Sequence, residues 1–237
     1  MKLLIIRPEP GASASATRAR AAGFEPICLP FFEIAPRPWQ APDPARYDAM
    51  LVTSSNAIRH AGAELDKLRG LPFHAVGERS ADAVRAAGLT LASIGQAGVE
   101  ALVMAATAAG HRRLLWLAGE DRTSFAPPVG STLDIATVYA SDPVALGPQA
   151  GAIIASCPMV ALHSARAARA FGDFVDRAGL ARHAFVLAAF SPAIGVAAGP
   201  GWAAIAAAAA PNDAALLSQA HMLVRQTHKR NGKGNGF

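Results

Sequence analysis

Short apolar runs recur along this chain, each ending in small polar residues and each followed by a helical pattern. The stretch 47–88 shows the plan most clearly. Residues 50–52 (Met-Leu-Val) form an apolar run of the kind a buried strand gives. Thr53, Ser54, Ser55 and Asn56 follow at once, all of them helix N-cap residue types, and a polar helical segment comes next. The second unit repeats the order: an apolar run at 73–76, then Gly77-Glu78-Arg79-Ser80, then an alanine-rich helix ending at Gly88. Small residues at a strand-to-helix turn let backbone N–H groups point outward, and a helix N-terminus favours anions. The stretch therefore predicts two neighbouring anion-accepting turns at the carboxyl ends of parallel strands.

The rest of the chain extends this plan. Residues 3–6 read as a central parallel strand, ended by Arg7-Pro8-Glu9-Pro10-Gly11. A helix over 13–22 is closed by Gly23, and a strand follows over 24–29. Pro36, Pro38, Pro42 and Pro44 make 34–44 a stiff extended linker. A strand is expected at 90–94, a helix at 98–109 and a strand at 114–117 that ends in Ala118-Gly119-Glu120-Asp121-Arg122. A β-type run at 135–139 leads to Ser141-Asp142-Pro143, a second Pro-marked boundary. Beyond it come a strand at 159–162, the turn His163-Ser164-Ala165-Arg166, and a helix to Gly179. A strand at 185–190, the turn Ser191-Pro192-Ala193 and a helical alanine run complete the pattern. The loose repetition of strand–turn–helix units predicts two similar α/β domains. From about Thr227 the chain is rich in Gly, Asn and Lys and is expected to be a disordered tail.

Composition changes this picture little. Hydrophobic residues make up 52% and charged ones 16%, which supports a sizeable core and excludes general disorder. Lys229, Arg230 and Lys233 in the tail supply three of the five net positive charges. No basic stripe interleaved with aromatics is present, so nucleic acid is not an expected partner. Cys28 and Cys157 lack CxxC or metal-ligand spacing and read as two buried, reduced thiols of a cytoplasmic protein. The N-terminal apolar run is too short for a signal peptide. The uncharged stretch between Arg182 and Asp213 is broken by Pro192, Gly195, Gly199, Pro200 and Gly201, so it reads as strand, turn and helix and not as a membrane span. Arg7-Pro8-Glu9-Pro10-Gly11 lacks the G-x-G-x-x-G pattern and no P-loop occurs, which disfavours a nucleotide-dependent Rossmann enzyme.

Several pieces of this sequence resemble the uroporphyrinogen-III synthase family. They are Leu4-Ile5-Ile6-Arg7-Pro8 with its preceding apolar run, Val52-Thr53-Ser54-Ser55-Asn56-Ala57, and Ala75-Val76-Gly77-Glu78-Arg79-Ser80-Ala81. Leu117-Ala118-Gly119-Glu120, Thr137-Val138-Tyr139 and the Ser164 and Ser191 turns complete the set, which spans nearly the whole chain except the tail. The resemblance implies an α/β fold of two flavodoxin-like parallel-sheet domains, joined by a two-stranded connector, with discontinuous topology. On that reading residues 1–34 and 142–226 form one domain, 40–137 the other, 35–39 and 138–141 the connectors, and 227–237 the basic tail. It also implies the reaction: hydroxymethylbilane, a linear tetrapyrrole, is cyclised with its last ring inverted through a spiro intermediate, with no metal or organic cofactor. The expected state is a monomer with a mobile hinge, in transient contact with hydroxymethylbilane synthase.

The substrate of that family carries eight carboxylates, which suits turns rich in hydroxyls and backbone N–H groups. The binding candidates are Ser54, Ser55, Asn56, Gly77, Ser80 and Gly119 in the middle domain, with Arg7, Ser164 and Ser191 in the other. Helix capping is the competing role for the serines and Asn56, and a solvated surface role for Arg7. Tyr139 is the catalytic candidate, as a hydrogen-bond or proton donor to the departing hydroxyl; its alternative is a packing role in the connector. His74, His111, His163 and His183 are further acid candidates, with His163 favoured by its place in a turn. Three positions depart from the family pattern: His163-Ser164-Ala165-Arg166, Ser191-Pro192-Ala193-Ile194, and Ala118 where relatives often carry arginine. Arg122 or Arg166 then becomes the substitute charge. The rival function is a non-catalytic two-domain binder of a small anion, or a degenerate synthase relative.

Overall fold

The computed structural model describes residues 1–96, 98–122 and 124–232, with side chains to residue 226. The chain divides into two compact units, Met1–Glu33 with Pro143–Phe237, and Ile34–Asp142. It opens with β1 (Lys2–Ile5), α1 (Gly11–Ala21) and β2 (Glu25–Cys28). β3 (Phe32–Pro36) then carries the chain into the second unit. There follow β4 (Ala49–Val52), α2 (Ser55–His60), β5 (Phe73–Val76), α3 (Gly77–Ala86), β6 (Leu91–Gly95), α4 (Val99–Ala108) and β7 (Arg113–Gly119). β8 (Thr132–Pro143) leads back, and α5 (Ala150–Ala155), β9 (Met159–Leu162), α6 (Ala165–Arg177), β10 (Val186–Ala189), α7 (Pro192–Ala197), β11 (Ala204–Ala207) and α8 (Asp213–Gly232) complete the first unit.

The first unit is a five-stranded parallel sheet in the order β11-β10-β9-β1-β2. Counted along that unit alone this is the 2-1-3-4-5 order of flavodoxin-like folds, whose direction of winding reverses between β1 and β9. Parallel strands need crossovers, and helices on both faces bury both sides of the sheet. Leu4, Ile6, Val160, Leu162 and Leu187 pack on one face with Phe171 and Val175 of α6. Leu3, Ile5, Met159 and Ala161 pack on the other with α1 and with Leu216 and Ala220 of α8. Arg182 ties this unit's far end together. It forks onto Asp176 at 2.8 and 2.7 Å, donates to the carbonyls of Ala198 and Pro200, and lies over the Trp202 ring.

The second unit carries a six-stranded sheet in the order β3-β8-β7-β4-β5-β6, parallel from β8 through β6. Its winding reverses between β4 and β7. β3 and β8 run antiparallel, because the Arg37 N–H bonds the Val138 carbonyl while the Val144 N–H bonds that of Phe31. Met50, Val52, Phe73, Leu115 and Val138 pack on one face, and Leu51, Leu102, Val103, Leu114 and Trp116 on the other. The short β4 run is buried along its whole length, as a central parallel strand requires.

Four expectations need correction. The alanine run after α7 is not helical: residues 204–207 form β11, paired in register with β10 from Val186↔Ala204 to Ala189↔Ala207. Gly199, Pro200 and Gly201 stop the helix, and the open edge of β10 offers the alanines a ladder that outweighs their helix propensity. The basic C-terminal segment is helical as far as Gly232, continuing α8, and residues 233–237 lie outside the described residues. The proline-rich linker begins as strand β3 and holds a single 3-10 turn at Pro44–Arg46. Cys157 is buried but Cys28 is exposed, because β2 is an edge strand. Among the described residues no helix is long and apolar enough to cross a membrane.

Candidate functional site

Ligands of open α/β sheets gather outside the carboxyl ends of the strands where the winding reverses. In the second unit that place lies after β4 and β7. Ser54 is the N-cap of α2, and its Oγ accepts the Asn56 N–H at 3.2 Å. Ser55 is buried, and its Oγ accepts from Arg59 Nη1 at 3.1 Å; Asn56 Oδ1 accepts from the same nitrogen at 3.3 Å. Arg59 thus lays a guanidinium on the positive end of α2. The sequence reading passed over it, although its i+4 spacing from Ser55 places both on one helix face. Trp116 Nε1 donates to Thr53 Oγ1 at 3.2 Å and fixes the exit of β4.

Gly77 opens α3 with φ +69°, a left-handed conformation that a side chain would strain. Ser80 is only 4% exposed, one helical turn further on among the buried residues of α3. Its hydroxyl is not presented to solvent, and we drop Ser80 from the candidate site. Between α2 and α3 lies an open groove of about 530 Å³ lined by Arg59, Arg79 and Asp82.

Tyr139 reaches this edge through a register shift. Ala118 is paired with Thr137, but Gly119 is paired with Tyr139, so β8 carries an extra residue and bulges there. The Tyr139 ring lies against the bare backbone of Gly119. A Cβ at that glycine would stand 2.7 Å from Tyr139 Cζ and 2.9 Å from its hydroxyl oxygen. Among the described residues the Tyr139 hydroxyl has no hydrogen-bond partner in the protein. His60, at the C-terminal end of α2, faces the ring with a centroid separation of 6.3 Å. Burial lowers the His60 pKa, and the Arg59 charge lowers it further, so the imidazole is neutral at pH 7. His60 is a second residue absent from the sequence reading, since only the tertiary fold brings it to Tyr139. Arg122 donates to the carbonyls of Gly119 and Glu120 and to Thr137 Oγ1, holding the end of β7.

In the first unit the corresponding edge follows β1, β9 and β10. Ser164 and Ser191 are N-caps of α6 and α7, accepting the N–H groups of Ala167 at 3.2 Å and Ile194 at 3.4 Å. Arg7 leaves β1 and donates through Nη1 to Ser15 Oγ at 3.2 Å. Arg166 lies over the Phe32 ring at 4.5 Å. His163 is 5% exposed, bonded through Nε2 to Asp213 at 3.3 Å and packed edge-on against Phe190. Burial lowers its pKa, an effect that the Asp213 bond only partly offsets. A neutral, enclosed imidazole is a poor acid for a bulky substrate, so His163 serves the architecture of this edge.

The other histidines are placed elsewhere. His74 lies buried in β5, its Nδ1 at 2.7 Å from Ser93 Oγ and its Nε2 at 2.9 Å from His111 Nδ1. His183 sits in a 3-10 turn before β10. None of these three stands at the polar turns.

The family described as Uroporphyrinogen-III synthase HemD matches residues 13–218. No curated protein sequence matches. Among solved structures, the fold is similar to that of the uroporphyrinogen-III synthetase of Helicobacter pylori, with a TM-score of 0.64 at 15% identity, over 94% of this chain and 100% of that one. It is also similar to a mutant uroporphyrinogen III synthase of Thermus thermophilus, with a TM-score of 0.54 at 15% identity, over 95% and 99% of the two chains.

Proposed function

This chain belongs to the uroporphyrinogen-III synthase family, and from that premise we propose that it converts hydroxymethylbilane to uroporphyrinogen III. The reaction is a cyclising hydro-lyase reaction that inverts the last pyrrole ring. The observation that supports it most directly is the Tyr139 hydroxyl, unpaired among the described residues and held over Gly119 at the sheet edge where two helix N-termini also lie.

The chemistry follows from those positions. The hydroxyl of the first ring's hydroxymethyl group leaves as water, its proton supplied by or through Tyr139 Oη. The resulting electron-poor carbon is attacked by the substituted α-carbon of the last ring, which forms the spiro intermediate. The bond from that α-carbon to its original bridge carbon then breaks and re-forms at the other α-carbon. That carbon loses its proton, which restores the balance. Free substrate closes without inversion, so the protein's contribution is to hold one geometry against another. Ser54, Asn56, Gly77 and the backbone N–H groups around them receive carboxylates, assisted by Arg59 and Arg79. Arg7, Ser164 and Ser191 serve the same purpose in the first unit. The protein works as a cytoplasmic monomer, takes hydroxymethylbilane from the enzyme that makes it, and uses no cofactor.

Product analysis tests this. Hydroxymethylbilane is generated in situ, the protein is added, and the oxidised uroporphyrin isomers are separated by chromatography. Predominantly isomer III supports the reading. Isomer I at the uncatalysed rate would leave a binder of anionic small molecules as the function.

A further inference from the structure

At the carboxyl edge of the first unit's sheet, side chains from three other segments converge on one carboxylate at the start of α8. Asp213, the first residue of α8, is 9% exposed at its side chain. It accepts from Ser15 Oγ at 3.0 and 3.1 Å, from Arg18 Nη1 at 2.8 Å, and faces His163 Nε2 at 3.3 Å. Arg7 completes the ring: its Nη1 donates to Ser15 Oγ and stands 3.8 Å from Asp213 Oδ1. The Arg7 guanidinium lies over Gly11, where a Cβ would come within 2.5 Å of Nε, and its Cζ is 5.9 Å from the Phe190 ring centroid.

Arg7 meets this carboxylate less directly than Arg182 and Arg113 meet theirs. Arg182 forks onto Asp176 at 2.8 and 2.7 Å, and Arg113 reaches Asp48 at 3.0 and 2.7 Å. Those are the close, multiply bonded contacts of a pair whose purpose is to hold structure. Between Arg7 and Asp213 the Ser15 hydroxyl is interposed, and the carboxylate's close contacts go to Ser15 and Arg18. The guanidinium is oriented by the carboxylate through Ser15, and 21% of its side-chain surface stays exposed. An arginine loses considerable rotamer entropy when it binds, so fixing it beforehand favours the bound state.

We propose that Asp213, relayed by Ser15, is a positioning residue that orients the Arg7 guanidinium to receive a carboxylate of the tetrapyrrole. Asp213 acts through Arg7 and does not touch the substrate. The identity of the ligand rests on the synthase reading; the coupling between Asp213 and Arg7 does not.

The test is a double-mutant cycle on the full chain with Asp213→Asn, Arg7→Ala and the two combined, plus Asp213→Glu and Ser15→Ala. Two readouts are taken: KM and kcat for isomer III formation, and Kd for uroporphyrin III, a stable octacarboxylate. Asp213→Asn is expected to raise both KM and Kd about tenfold with kcat changed less than about twofold, the pattern of lost uniform binding. In the Arg7→Ala background the same change is expected to have no effect, because interacting residues are non-additive. Asp213→Glu is expected to recover part of the affinity. An unchanged Kd and KM in Asp213→Asn, or a full additive effect on top of Arg7→Ala, would overturn the proposal. Should Asp213→Asn fail to fold, Ser15→Ala decides: a raised Kd that vanishes in the Arg7→Ala background sustains it, and wild-type affinity overturns it. If wild-type protein yields only isomer I, the synthase reading falls and the Kd cycle alone decides. Coupling there keeps the proposal; its absence, or no binding of uroporphyrin III by wild-type protein, ends it.

Discussion

At Gly119 the missing side chain is the space that Tyr139 occupies. Gly119→Ala forces the phenol to move, because nothing can share a 2.7 Å approach to Cζ. The variant should lose about 1–3 kcal/mol of stability, the usual cost of overpacking, and most of its isomer III activity. Tyr139→Phe removes only the oxygen. It should lower kcat about tenfold or more, with the urea midpoint within error of wild type. Comparing the two by turnover and denaturation separates the place of the ring from the role of its hydroxyl; equal loss of stability in both would show Tyr139 to be a packing residue. Arg182 makes a contrasting case, since its bonds are all internal. Arg182→Ala leaves the Pro200 carbonyl and Asp176 without their donor, removes one of two donors to the Ala198 carbonyl and uncovers Trp202. It should cost about 2 kcal/mol in chemical denaturation while KM stays unchanged below the melting transition.

At the scale of elements, the strand ends and the helix starts were legible because their signals are local. Ser54, Ser164 and Ser191 follow buried runs directly, and each caps the helix that comes after it. β11 was not legible, because Ala204–Ala207 has a single β-branched residue, Ile205, among alanines and owes its conformation to the open edge of β10. The Asp213 cluster was equally hidden, since Ser15 and Asp213 are 198 positions apart and no periodicity relates them. The bulge that brings Tyr139 opposite Gly119 shows only in the pairing of β7 with β8. His74, buried in β5 against His111, makes a prediction at this scale. Burial lowers the His74 pKa, and the His111 charge adds to it, so the fold holds His74 neutral. Below about pH 6.5 the unfolded chain takes up a proton there that the folded chain refuses, so stability falls as pH drops. Melting temperature should decline from pH 7 to pH 5, and His74→Gln should flatten that slope; a slope unaffected by the substitution would assign the decline to other groups. The Asp213 carboxyl acts lower in the range. Burial alone would push it up, but the His163 and Ser15 hydrogen bonds and the Arg7 charge hold it at about 2. Its contribution is present above its ordinary pKa near 3.8 and is lost between there and about 2.

For the molecule as a whole, the two units differ in how the chain builds them. The second is one continuous segment, Ile34–Asp142, with apolar clusters on both faces of its own sheet. Residues 34–142 expressed alone should therefore melt cooperatively by circular dichroism, at a lower temperature than the full chain; a non-cooperative melt would show that this unit depends on the rest. The two Pro-marked boundaries read from the sequence lie where β3 and β8 carry the chain from one unit to the other. The interior place of residues 3–6 was legible in their unbroken apolar run, whereas the order of the remaining strands came only with the flavodoxin-like resemblance, because it is decided by the packing of all of them.

β1 is made before the other strands of its sheet, yet its neighbour β9 begins only at Met159. On a ribosome that adds about 5–20 residues per second, the largely buried β1 waits roughly ten seconds or more for that partner. By the end of that interval the middle unit is complete and able to fold, while β1 still lacks its β9 neighbour. The first unit of a newly made chain is thus exposed to misassembly and to capture by chaperones until residues 159–207 emerge and close the sheet around β1.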